Sequence, residues 1–134
     1  MQLSGSLDTN AIVRLLLNDI PQQRNAVKAL LTQATGQLAV ADTAIMELVF
    51  VLERYYEFSR QQIEEAVIGL MQLKEINCNR RLFEKTLPIY VNHTALSFED
   101  CCLSTYAVLN SAEPLWTFDK KLATQVASAK LIAI

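Results

Sequence analysis

Short apolar runs alternate with longer stretches in which apolar residues recur every three or four positions. The short runs predict strands, and the longer stretches predict amphipathic helices. Strands are expected at residues 3–7, 37–41, 75–79, 115–118 and 130–134. Helices are expected at 10–17, from 21 to a stop at Gly36, 42–56, 59–73, 80–91, from 97 through Leu109, and 120–127. Asp42 or Thr43 is expected to cap the third of these helices, Ser59 begins a capping box with Gln62 at the fourth, and Pro88 is expected to kink or restart the fifth. Because strands and helices alternate, the chain predicts a largely parallel sheet with helices on both faces.

An acid stands at the end of two of these strands. Asp8 lies between the strand at 3–7 and the next helix, for which Thr9 or Asn10 is a suitable cap. Asp8 is then left at the carboxyl end of a strand, the edge at which open α/β sheets bind ligands. Asp119 repeats this arrangement after the strand at 115–118, although a role as a helix cap alone also explains it.

Two further acids lie within helices. Residues 44–52 read AIMELVFVL, so this helix is expected to be buried on both faces, against the sheet and against a partner subunit. Glu47 then needs a cation or a proton, unless it reaches Arg54 or solvent. Asp100 falls at the third position of a helix that Ser97 caps, where an acid also complements the helix dipole.

Composition and charge narrow the class of protein. The chain has 134 residues, 51% of them hydrophobic and 19% charged, which predicts one globular domain over residues 1–134. A formal net charge of −2 gives the chain no overall positive field that would attract nucleic acid. Any RNA must therefore be held by local clusters of basic residues. Only three glycines are present, too few for a Gly-rich phosphate loop and its nucleotide cofactor.

Cysteine usage and hydropathy indicate a cytoplasmic protein. Cys78, Cys101 and Cys102 cannot all pair and show no metal-ligand spacing, so they are expected to be reduced and mostly buried. No leader is expected, and every apolar run is far shorter than the roughly 20 residues of a membrane span. The single histidine, His93, is expected to be a surface or structural residue and not a catalytic one.

The four acids together predict a metal site. Several carboxylates gathered at one place repel each other unless a cation neutralises them. Oxygen-only ligands of this kind suit Mg²⁺ or Mn²⁺. The expected ligands are Asp8, Glu47, Asp100 and Asp119.

Four segments resemble a known family. They are LDTNAIVRLLL at 7–17, MELVFVLERYYEFSRQQI at 46–63, LSFEDCCLSTYA at 96–107 and LWTFDKKLA at 115–123. Their order and spacing resemble the PIN-domain ribonucleases, and more narrowly the VapC-like toxins of toxin–antitoxin pairs. The four acids match the family's metal-binding acids in order, Asn10 matches a polar residue beside the site, and Thr117 matches the hydroxyl before the last acid. Where family members often carry an Asp, this chain has Ser97.

The resemblance implies a fold and an activity. The fold is a PIN-like three-layer α/β domain with a central, mostly parallel sheet of about five strands. The activity is that of a Mg²⁺-dependent endoribonuclease toxin, which hydrolyses RNA with a metal-activated water. A homodimer and a cognate antitoxin are the implied partners. Basic residues near the acids in sequence are the expected RNA contacts: Arg14, Lys120 and Lys121.

Three other classes of protein remain open. A catalytically silent PIN-like domain would bind RNA or protein without cutting. A receiver-like signalling module would carry two adjacent acids at the first strand end, whereas here Leu7 precedes Asp8, and it leaves Glu47 unexplained. A purely helical interaction protein conflicts with the strand-like runs LWTF and LIAI.

Overall fold

A computed structural model describes residues 2–134. Over these residues the chain forms a mixed α/β fold of seven helices and five strands. In chain order they are β1 (Leu3–Ser6), α1 (Thr9–Leu16), α2 (Pro21–Gln33), β2 (Gln37–Ala39), α3 (Asp42–Arg54), α4 (Arg60–Met71), β3 (Ile76–Asn77), α5 (Arg80–Asn92), α6 (Phe98–Leu109), β4 (Leu115–Thr117), α7 (Lys120–Gln125) and β5 (Ala129–Leu131). The α/β class expected from the sequence is confirmed, with each element close to its predicted place.

Contacts divide the chain into two compact units, residues 2–79 and 80–134. In the first unit β2 pairs in parallel with both β1 and β3, so the sheet order is β1-β2-β3. Helix α1 packs on α2 and α3, and α4 packs on α3 and β3. The parallel pairing confirms the expectation drawn from the alternation of strands and helices, and the prediction of a single domain stays a prediction.

The second unit is built on the helix pair α5 and α6, with β4 and β5 paired in parallel beside α7. Its core contains an aromatic cluster, in which the Phe98 ring stacks on Phe83 at 6.1 Å and meets Tyr90 edge-on at 5.2 Å. Cys101 and Cys102 are buried, as expected, and they form no disulfide. The three aromatic side chains join the start of α6 to α5.

Within this chain, helix α3 has one buried face and one exposed face. Ile45, Leu48 and Leu52 are fully buried and form the inner stripe. The opposite face is not buried within this chain, because Phe50 is 50% exposed. Tyr55 packs edge-on against the Phe50 ring. The partner subunit expected on this face stays a prediction.

The helix starts confirm two predicted caps and correct two others. Ser59 and Ser97 each form a complete capping box. Helix α1 is capped by Asp8, not by Thr9 or Asn10. Helix α3 begins after Ala41 with no side-chain cap, so the cap predicted from Asp42 or Thr43 is wrong. In both corrected cases the expected caps lie inside the helix, because α1 begins at Thr9 and α3 begins at Asp42.

Two further findings concern helix continuity and length. Pro88 lies inside α5, where it removes one backbone donor, yet the helix runs on through Asn92 without a restart. The His93 ring lies half-buried at the end of this helix, with Nδ1 2.9 Å from the carbonyl of Ile89, which fits its expected structural role. Along residues 2–134, no helix is long and apolar enough to cross a membrane.

Candidate metal centre

Asp8 lies at the carboxyl end of β1 and caps α1. The strand ends at Ser6, Leu7 is buried, and Asp8 follows in an extended conformation. Its Oδ1 accepts a hydrogen bond of 2.9 Å from the backbone N–H of Ala11. This bond satisfies one of the free amide groups at the start of the helix. Asp8 therefore occupies the predicted strand end, and it also has a structural role that the sequence interpretation assigned to its neighbours.

Glu47 is brought beside the start of α1 by Thr9. The Thr9 hydroxyl lies 3.2 Å from Glu47 Oε2 and 3.3 Å from the carbonyl oxygen of Ala44, and it donates toward both. Glu47 is exposed on α3, so its carboxylate is accessible to solvent. The structure thus places the helical acid next to the residue that follows Asp8.

Thr9, which donates to one of the predicted acids, is not among the site residues expected from the sequence. The sequence indicates it only as a possible cap for α1. The signal that could have identified Thr9 is its position directly after Asp8, the acid at the end of β1. A helix that begins there has its first residue at the same edge of the sheet. Its contact with Glu47 joins residues 38 positions apart, which no local pattern reports.

A cavity of about 480 Å³ opens beside Glu47 in the first unit. Two other residues predicted for the site, Asn10 and Arg14, line it as well. The remaining lining comes from Thr9, Val13, Val51, Tyr55 and Tyr56. The predicted polar residue and one predicted RNA contact therefore share a concave surface with one of the four acids.

Arg14 is not a free cation. Its Nη1 lies 2.6 Å from Asp19 Oδ2, which also accepts a hydrogen bond from the Tyr56 hydroxyl. The Arg14 guanidinium holds the pKa of the Asp19 carboxyl below its ordinary value, and the same pair raises the pKa of Arg14. Because the folded-state pKa of Asp19 is lowered, the pair stabilises the fold at neutral pH and loses this contribution as acid protonates Asp19. A phosphate that binds Arg14 must compete with this carboxylate.

In the second unit Asp100 completes the capping box of α6. Its backbone N–H donates to Ser97 Oγ at 3.1 Å, and its Oδ2 accepts from the Ser97 backbone N–H at 3.3 Å. Asp100 is the third residue of the helix, as predicted. Asp100 therefore has a structural role as part of the cap of α6, and this role occupies one of its carboxylate oxygens.

Asp119 lies just beyond β4 and caps α7. Its Oδ1 accepts from the backbone N–H groups of Lys121 at 2.9 Å and Leu122 at 3.4 Å. Its own N–H donates to the hydroxyl of Thr117 at 2.9 Å. Thr117 thus orients the turn that presents Asp119, while the side chains of Lys120 and Lys121 are exposed just after it.

The donor chemistry of these residues fits a hard divalent cation. In the hydrogen bonds of residues 2–134, each of the four acids uses a single carboxylate oxygen: Oδ1 of Asp8, Oε2 of Glu47, Oδ2 of Asp100 and Oδ1 of Asp119. The second oxygen of each remains for a ligand, and carboxylate oxygens are what Mg²⁺ and Mn²⁺ prefer. Within neither unit does the described chain bring three or more His, Cys, Asp or Glu side chains together as metal ligands. The four-acid centre draws on both units and stays a prediction.

The parallel strands and the helices that connect them define an α/β protein, and in each unit an acid follows a strand and caps the next helix. Residues 6–127 match the PIN domain family, so the chain belongs to that family. PIN domains have a nuclease-type fold, are generally nucleases and typically use divalent metals. A comparison with curated proteins finds none that matches the chain.

Proposed function

We propose that this protein is a Mg²⁺- or Mn²⁺-dependent endoribonuclease, and that it acts as a VapC-like toxin inhibited by a cognate antitoxin. The observation that carries the proposal is that each of the four acids uses only one carboxylate oxygen in the hydrogen bonds of residues 2–134. Helix capping explains why three of these acids are present, but it uses only half of each carboxylate. Glu47 caps no helix, and its contact with Thr9 places it beside the same strand end as Asp8.

The ligands of the metal would be Asp8, Glu47, Asp100 and Asp119. When bound, such an ion supplies Lewis-acid chemistry, lowering the pKa of water and offsetting charge on a phosphate under attack. The capping hydrogen bonds already restrain the carboxylates of Asp8, Asp100 and Asp119. These side chains therefore lose little further conformational freedom when a cation binds. Asn10 supplies a polar group on the wall of the cavity beside Glu47, and Thr117 orients Asp119 through its backbone.

Basic side chains would contact RNA, and exposed aromatic side chains would contact a protein partner. The exposed side chains of Lys120 and Lys121 follow Asp119 directly and suit a phosphate backbone, and Arg14 would contribute only after release from Asp19. Phe50 on α3 and Tyr55 just after it are exposed aromatic side chains that suit contact with a second copy of the chain, giving a homodimer.

The direct test is cleavage of a mixed RNA substrate by the purified protein with Mg²⁺ and with EDTA. We expect fragments with Mg²⁺, none with EDTA, and recovery of cleavage when Mn²⁺ is added to the chelated sample. Cleavage that persists in EDTA would contradict a metal-dependent mechanism. Binding of Mg²⁺ without cleavage of any RNA would instead indicate the catalytically silent binding domain.

Removing both lysines that follow Asp119 is expected to weaken RNA binding in a salt-dependent way. Each phosphate contact contributes about 0.7 to the slope of log affinity against log salt on single strands. The variant Lys120→Ala/Lys121→Ala should therefore show lower affinity at low salt and a shallower slope. Binding is measured by fluorescence anisotropy on an Asp8→Asn background, so that the RNA remains intact.

The matched control is Lys28→Ala, which removes an exposed lysine of α2. It should leave both the affinity and the slope unchanged. If the double variant behaves like this control, Lys120 and Lys121 do not contact RNA.

A further inference from the structure

We infer that Thr9 is a positioning residue for Glu47, and that its hydroxyl holds the Glu47 carboxylate ready for the divalent cation. This inference rests on the proposed function and adds a residue that the four-acid set does not include. Thr9 is the first residue of α1 and Glu47 lies near the middle of α3, so the contact joins the two helices.

The geometry of the hydroxyl supports this role. Thr9 Oγ1 lies 3.2 Å from Glu47 Oε2 and 3.3 Å from the carbonyl oxygen of Ala44. Ala44 and Glu47 are three residues apart on α3 and therefore share one face of it. The carbonyl holds the Thr9 side chain against this helix, and the shared hydroxyl proton ties one oxygen of Glu47 in place.

The exposure of Glu47 makes such a restraint useful. An exposed glutamate samples several rotamers, and ordering it for a ligand costs conformational entropy. A hydrogen bond present before the cation arrives removes part of that cost. Because Thr9 touches only Oε2, the other oxygen, Oε1, is left to ligate. Groups that orient metal ligands in this way typically affect metal affinity about 10- to 100-fold when removed.

The test compares Mn²⁺ binding by the full chain and its variants, using titration calorimetry. Thr9→Val replaces the hydroxyl with a methyl group of similar size, and Thr9→Ser keeps the hydroxyl. We expect Thr9→Val to weaken Mn²⁺ binding about 10-fold or more and Thr9→Ser to remain close to the unmodified protein. In a Glu47→Gln background, Thr9→Val should have little further effect, because the two residues act as one unit.

Thermal unfolding without metal separates positioning from a purely structural role. A Thr9 that only joins α1 to the Ala44 carbonyl would lower the Tm of Thr9→Val without changing Mn²⁺ affinity, and this result would overturn the inference. Equal losses in Thr9→Val and Thr9→Ser, or an undiminished loss in the Glu47→Gln background, would overturn it as well.

The outcomes also separate this inference from the proposed function. Mn²⁺ binding that depends on Asp8 but not on Thr9 overturns the role of Thr9 and leaves the metal-dependent function standing. Absence of Mn²⁺ binding to the unmodified protein overturns both. Mn²⁺ binding that follows the expected Thr9 pattern, in a protein that cleaves no RNA, supports the positioning role and overturns the ribonuclease function.

Discussion

Asp8→Asn is expected to abolish RNA cleavage while leaving the fold almost as stable as before. Asparagine is as good an N-cap as aspartate, so its side-chain oxygen can still accept the hydrogen bond from the Ala11 N–H. It cannot supply the negative charge that a divalent cation needs from its ligand. Metal ions stabilise the charge of the transition state by several kcal/mol, and each 1.36 kcal/mol is tenfold in rate. We therefore expect cleavage to fall by about 100-fold or more.

The matched variant Asp8→Ala removes the cap and the ligand together. It should lose cleavage to the same extent. It should also lose about 1 kcal/mol of unfolding free energy, because no side chain then accepts the hydrogen bond from the Ala11 N–H. Cleavage rates from a labelled RNA and urea denaturation curves of both variants measure the two effects separately. If Asp8→Asn retained full cleavage, Asp8 would be a cap and nothing more, and the proposed centre would be wrong.

Phe98→Ala is expected to cause the largest loss of stability among single substitutions near the site. Phe98 is only 5% exposed, and its ring contacts both Phe83 and Tyr90 in the second unit. Truncating a buried phenylalanine to alanine costs about 3–5 kcal/mol, through lost burial and the cavity left behind. Because Phe98 is the first residue of α6, the loss also loosens the turn that presents Asp100.

The control for this prediction is Phe118→Ala in the same unit. Phe118 is 65% exposed, so its removal should change the unfolding free energy by no more than about 0.5 kcal/mol. Urea denaturation followed by circular dichroism measures both variants. Similar stabilities for Phe98→Ala and Phe118→Ala would show that the aromatic cluster does not hold the second unit together.

The helix starts illustrate how far local patterns predict this protein. Ser59 and Ser97 were identified as caps because a suitable acceptor stands three residues later in each case. At Asp8 three consecutive residues can all cap a helix, and the pattern of apolar positions cannot choose among them. The correct choice depends on where β1 ends, which is decided by its pairing with β2.

The sequence by itself determined the kinds of element, their order, the parallel connection of the strands and membership of the PIN domain family. The elements and their order follow from apolar periodicity and capping residues, which act over a few neighbouring residues. Family membership follows from the order and spacing of segments along nearly the whole chain. Tertiary structure alone decided that the Thr9 hydroxyl meets Glu47, that Arg14 and Tyr56 share Asp19, and that the outer face of α3 is exposed. Contacts of this kind depend on how far each helix is rotated and shifted against the next. A periodic pattern identifies which face is buried, but it does not determine which atoms on that face meet.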